Sequence, residues 1–127
     1  MKLQKLCCRL IIGSKRLNPS EPLFKSLDVL KISEAYEYCI MLFMFKYYCG
    51  LLPKIMKDMF STANVSRNMV TRQNKNLILP LCNSQNAYNS IRFQGAKIWN
   101  KHYKELNLLC AYFTFKSYLK TFILKKT

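Results

Sequence analysis

The sequence predicts a mainly α fold: a single helical domain over residues 1–127 with a small two-stranded β ribbon. Three observations point there. Apolar residues recur at helical spacing in several stretches, beginning with Leu3, Leu6, Cys7, Leu10 and Ile11. Turn formers are scarce, with 3 Gly and 4 Pro in 127 residues, whereas a β sandwich turns about every 8–12 residues. Half of the chain is apolar, which supports one core at this length and excludes a disordered basic tail.

The elements follow in order. Leu3 to Ile11 form the apolar face of an amphipathic helix with Lys2, Lys5 and Arg9 opposite, ended by Gly13. Asn18-Pro19-Ser20 breaks the chain, and Pro22 opens a short helical turn with Leu23, Phe24 and Leu27 on one face. Ser33 reads as the N-cap of the longest helix, which runs to Cys49 and stops at Gly50. From Tyr36 to Tyr48 that helix is apolar almost all round, which gives it a central place. Pro53 starts another short helix, with Ile55, Met56, Met59 and Phe60 as its expected buried positions.

Residues 61–76 read as a polar loop that holds Arg67, Arg72 and Lys75 and no acid. Leu77 to Pro80 is expected to be extended, because Leu79 precedes a proline. Ile91 and Phe93 alternate with Arg92 and Gln94, the period of a strand, and these two pieces make the expected ribbon. Gly95 leads into a helical turn with Trp99 buried. A last helix, Ala111 to Lys125, places Tyr112, Phe115, Leu119 and Phe122 on one face, with Lys125 and Lys126 at the end that favours cations. Neither a repeat nor a long linker divides the sequence.

Charge narrows the function classes. With 21 Lys+Arg against 6 Asp+Glu, the chain carries +15 at pH 7, a field that draws nucleic acid or an anionic membrane surface. Six cysteines without a C-x-x-C pair, and the single His102, do not make a zinc site. Lys5 and Arg9 interrupt any export signal, so the location expected is intracellular, cytoplasm or nucleus, with reduced thiols serving mostly as core filler. The longest apolar block, Tyr38 to Phe45, covers about 12 Å of helix against roughly 30 Å of hydrocarbon, so no membrane span is expected. Five basic groups and no acid in residues 2–17 give only a weak likeness to a mitochondrial presequence.

Catalytic patterns are absent from the sequence. Of the acids Glu21, Asp28, Glu34, Glu37, Asp58 and Glu105, only Glu34 and Glu37 are close, at i,i+3. Their place at a helix start explains them better than a metal pair does. No glycine-rich run cradles phosphates, and one histidine offers little prospect of a base beside a nucleophile. The expectation is no enzyme, no cofactor and no small-molecule substrate.

Several segments, in order, resemble the C-terminal region of reverse transcriptase polyproteins from non-LTR (LINE-type, jockey-like) retrotransposons. They are Leu3-Gln4-Lys5 with Arg9-Leu10-Ile11-Ile12, and Pro22-Leu23-Phe24 with Leu27, Leu30, Lys31 and Ile32. Met44-Phe45-Lys46, Gly50-Leu51-Leu52-Pro53, Thr71-Arg72 and Leu77 to Pro80 follow. The most telling is Ser90-Ile91-Arg92-Phe93-Gln94-Gly95-Ala96-Lys97-Ile98-Trp99-Asn100, and a closing helix with Phe115-Lys116, Leu119-Lys120 and Phe122 completes the series. The chain lacks the family's histidine before Thr71-Arg72, and Lys101-His102-Tyr103 replaces its usual residues after Asn100.

The resemblance implies a fragment downstream of the polymerase palm, without its paired aspartates, whose partner in the intact element is the upstream reverse transcriptase domain. In that setting the expected role is accessory binding of RNA or DNA. Candidate phosphate contacts are Lys2, Lys5, Arg9, Lys15 and Arg16, then Arg67, Arg72 and Lys75, then Arg92, Lys97, Lys101 and Lys104. Two other readings stand beside it. One is a protein-interaction or structural remnant that exposes the apolar face it once packed upstream. The other is a cationic protein of membrane surfaces built on its terminal amphipathic helices.

Overall fold

A computed structural model describes residues 2–62 and 76–126. Among them are the α-helices α1 (Lys2–Ile12), α2 (Glu21–Ser26), α3 (Ile32–Tyr48), α4 (Gln85–Asn89), α5 (Ile91–His102) and α6 (Tyr112–Lys126). Short 3-10 turns cover Lys54–Met56 and Tyr103–Glu105. The protein is mainly helical. Its chain groups into two compact units: Met1–Tyr38 with Tyr118–Thr127, and Cys39–Ser117.

In the first unit, backbone closure follows the sequence signals. Gly13, at φ +69°, lets the Ser14 N–H reach back to the Arg9 carbonyl at 2.9 Å and end α1. The same closure ends α2, where Asp28 takes the left-handed place at φ 52° and the Val29 N–H meets the Phe24 carbonyl at 3.1 Å. The start of α3 differs from expectation. The helix begins at Ile32, so Ser33 lies inside its first turn, and the Glu34 carboxylate accepts from the Lys31 N–H at 2.9 Å. The reach of a third-position glutamate back to the capping amide replaces the hydroxyl cap.

Lys31 joins these pieces. Its ammonium bonds Glu21 at 3.0 Å and lies 3.7 Å from Glu34. The hydrogen bond and charge of Lys31 hold the Glu21 carboxyl below its ordinary range, and the bond to Glu21 in turn raises Lys31. Asp28 accepts a hydrogen bond from Lys120. Cys8, Phe24, Leu119 and Ile123 are the unit's buried apolar side chains at its helices.

The second unit is built on aromatic packing. Phe45 of α3 and Phe115 of α6 are both fully buried and stack with centroids 3.8 Å apart and planes 10° from parallel. At Gly95 the packing of α5 leaves no room for a side chain: a Cβ there would lie 2.9 Å from Met44 Sδ and 3.2 Å from Phe60 Cζ. Gly50 ends α3 at φ +70°, with the Leu51 N–H on the Lys46 carbonyl at 2.9 Å.

The two-stranded ribbon does not form. No strand occurs among the described residues, and the only bridge there is an isolated antiparallel pair, Thr62 with Leu77. Ile91 to Gln94 are the first turn of α5. Two physical facts override their alternation. The Ser90 hydroxyl accepts from the Phe93 N–H at 3.4 Å and caps a helix. The buried set of α5 is Gly95, Ala96, Ile98, Trp99 and His102, which is helical spacing. Four alternating residues are too few to specify a strand against both.

Leu77 finds its partner in a side chain instead. The Asn100 amide accepts from the Leu77 N–H at 2.9 Å and donates to the Leu77 carbonyl at 2.8 Å, in the manner of a neighbouring strand. Leu77 is buried, so Asn100→Ala leaves two backbone groups without partners there. The expected loss is about 1–3 kcal/mol of stability, read as a lower urea midpoint with an unchanged slope. Two smaller expectations also change. Ile55 is exposed rather than buried, and of the cysteines only Cys8 is buried, while Cys7, Cys39 and Cys49 are exposed.

Candidate nucleic-acid interface

α5 faces the core with one side and solvent with the other. Because Gly95, Ala96, Ile98, Trp99 and His102 turn inward, the positions between them, Lys97 and Lys101, are driven outward. Both are exposed, and Lys104 of the following 3-10 turn is exposed as well. The spacing 97, 101, 104 places three ammonium groups along one face. Arg92 is exposed in the first turn of α5, well round the helix from that face. Trp99 is only 4 % exposed, so its indole is not available as a base-stacking platform.

The polar segment is rooted at the same helix. Thr62 pairs with Leu77, and the Ile78 N–H donates to the Ser61 carbonyl at 2.8 Å, so the chain leaves and returns at one place. Asn100 fixes Leu77, and the Tyr103 phenol donates to Asn76 Oδ1 at 3.0 Å. Arg67, Arg72 and Lys75 of that segment lie outside the described residues. Its returning end is held by α5 and the turn after it, and its outgoing end pairs with that returning end. Over residues 39–117 there are 11 basic and 2 acidic side chains.

Lys5 and Arg9 belong to the first unit and are not part of this cluster. Both are half-buried. Arg9 Nη2 donates to the Asn18 carbonyl at 3.0 Å, and its Nε is buried without a hydrogen bond among the described residues. That guanidinium closes the turn after α1. Asn100 and Tyr103, which anchor the polar segment, were not legible as functional positions, although Asn100 closes the longest motif of the resemblance. Lys54 and Lys57, exposed around the 3-10 turn after Pro53, add two cations that the sequence reading passed over.

The remaining chemistry is structural in its geometry. Among the described residues no three of His, Cys, Asp and Glu come together as a metal site. Partial desolvation, and then the neighbouring Cys110, push the Cys49 thiol upward, the opposite of an activated nucleophile. The Tyr47 phenol donates to the Phe60 carbonyl at 3.0 Å and is raised by burial and then by Asp58. No helix of the described residues is long and apolar enough to cross a membrane. Comparison with models of known protein families, with curated proteins and with solved structures gave no match.

Proposed function

We propose that this chain is a non-catalytic region that binds RNA or DNA through phosphate contacts, as an accessory to the reverse transcriptase of a non-LTR retrotransposon whose C-terminal region it resembles. One observation carries the reading: the exposed row Lys97, Lys101 and Lys104 on the helix and turn that also anchor the C-terminal end of a polar segment bearing three more basic residues. Lysines on a helix face meet phosphates as point charges and carry little sequence information. Buried Trp99 fits a mode without base stacking.

The test is a titration of fluorescent duplex DNA and RNA with the whole chain over a range of salt. Log K is expected to fall linearly with log salt, by about 0.9 per phosphate neutralised on duplex DNA. Binding indifferent to salt, or none at low salt, overturns the reading. A protein-interaction role is the second reading, favoured by Leu81 and Leu109, which are almost wholly exposed, and by exposed Phe113. Those side chains suit packing against an upstream domain better than contact with phosphate.

A further inference from the structure

The outward face of α1 does not match its role in the fold. The helix is fastened by its polar side. Gln4 Nε2 donates to the Leu30 carbonyl at 2.8 Å, and Gln4 Oε1 accepts from the Ile32 N–H at 3.1 Å. Cys8, one turn on, is 4 % exposed and marks the buried line of the helix. The apolar line therefore faces away from the unit: Leu3 is 78 % exposed, Leu10 73 % and Ile11 71 %, with Leu6 at 46 % beside them. An amphipathic helix whose leucines point outward while glutamine points inward is not held by its hydrophobic face.

The charge around that face selects the occupant. Residues 2–17 hold Lys2, Lys5, Arg9, Lys15 and Arg16 and no acid, and Leu17 stands 96 % exposed beside the last two. A second copy of this helix would bring the exposed cations Lys2, Lys15 and Arg16 against the same three. Nucleic acid answers the cations but gives the leucines nothing apolar to enter. A surface that is anionic outside and hydrocarbon beneath answers both requirements.

We infer that α1 is an interfacial helix that lies on anionic lipid bilayers, with Leu3, Leu6, Leu10 and Ile11 inserted at the acyl boundary and Lys2, Lys15 and Arg16 at the headgroups. The inference does not depend on nucleic-acid binding, since it uses a different helix and different side chains. The apolar line supplies insertion and the cations supply lipid selectivity.

The test is flotation of the whole chain with vesicles of equal parts phosphatidylcholine and phosphatidylserine, and with vesicles of phosphatidylcholine alone. Binding is expected to the first and not to the second. Leu3→Gln with Leu10→Gln should abolish flotation while leaving the circular dichroism and the nucleic-acid titration unchanged, because both leucines are exposed. Lys2→Gln should weaken binding about fivefold, the effect of one cation at such a surface. Equal binding to both vesicles, binding to neither, or binding undiminished in the double leucine variant overturns the inference. So does a wild-type dimer by light scattering that the leucine variant makes monomeric, because the face would then be a self-interface.

Discussion

Phe115→Ala is expected to cost about 3–5 kcal/mol of stability, the largest single-residue effect in the second unit. The ring is fully buried and stacked at 3.8 Å on Phe45, which is itself fully buried, so its removal leaves a void walled by an aromatic face. Domains of this size hold only about 5–15 kcal/mol in all, so the variant sits close to unfolding at room temperature. Phe113, two residues away on the same helix, is 80 % exposed, and Phe113→Ala should stay within about 0.5 kcal/mol of the parent. Urea titration followed by circular dichroism reads both. Equal loss in the two variants would mean that the packing of α6 is not as described.

Removing Lys97, Lys101 and Lys104 together, each to Gln, should change nucleic-acid binding more than any other triple substitution of charge. The slope of log K against log salt is expected to fall by about 2.7 on duplex DNA, which at roughly 0.1 M salt corresponds to a loss on the order of several hundredfold. The side chains are exposed, so the fold should be unaffected. Lys25, Lys125 and Lys126 lie in the first unit and are also exposed. Changing those three to Gln removes the same net charge and should leave the slope near its original value. A response that depends only on total charge, equal in both triples, would remove the lysine row from the interface.

Local chemistry made much of this fold readable. Gly13 and Gly50 end α1 and α3 at positive φ as their positions in the sequence imply. Ser33 was a reasonable cap by residue type, yet the helix starts before it, because Glu34 can satisfy the Lys31 amide from within the first turn. The strand read into Ile91 to Gln94 failed for a related reason. Ser90 caps a helix there, and the residues that decide the period, Ala96 to His102, lie downstream of the alternation. The most telling motif of the resemblance, Ser90 to Asn100, has a structural explanation at its key positions. It supplies a cap, a close approach at Gly95, a buried Trp99 and the clamp at Asn100.

The candidate interface was half legible. Residue type and spacing marked Lys97 and Lys101 as cations, but not that they share an exposed face with Lys104, because that depends on which side of α5 is buried. Arg9 shows the reverse, a cation by type that the fold engages at the Asn18 carbonyl.

By itself the sequence determined the helical class, the stops at Gly13 and Gly50, and the excess of positive charge, because backbone closure and ionisation act within a few residues. Only the tertiary structure decided which face of each helix is covered. The backbone groups of Leu30, Ile32 and Leu77 take their partners from Gln4 and Asn100, more than twenty residues away. That distant satisfaction turned the leucines of α1 outward and Asn100 inward, a choice that periodicity along the chain leaves open.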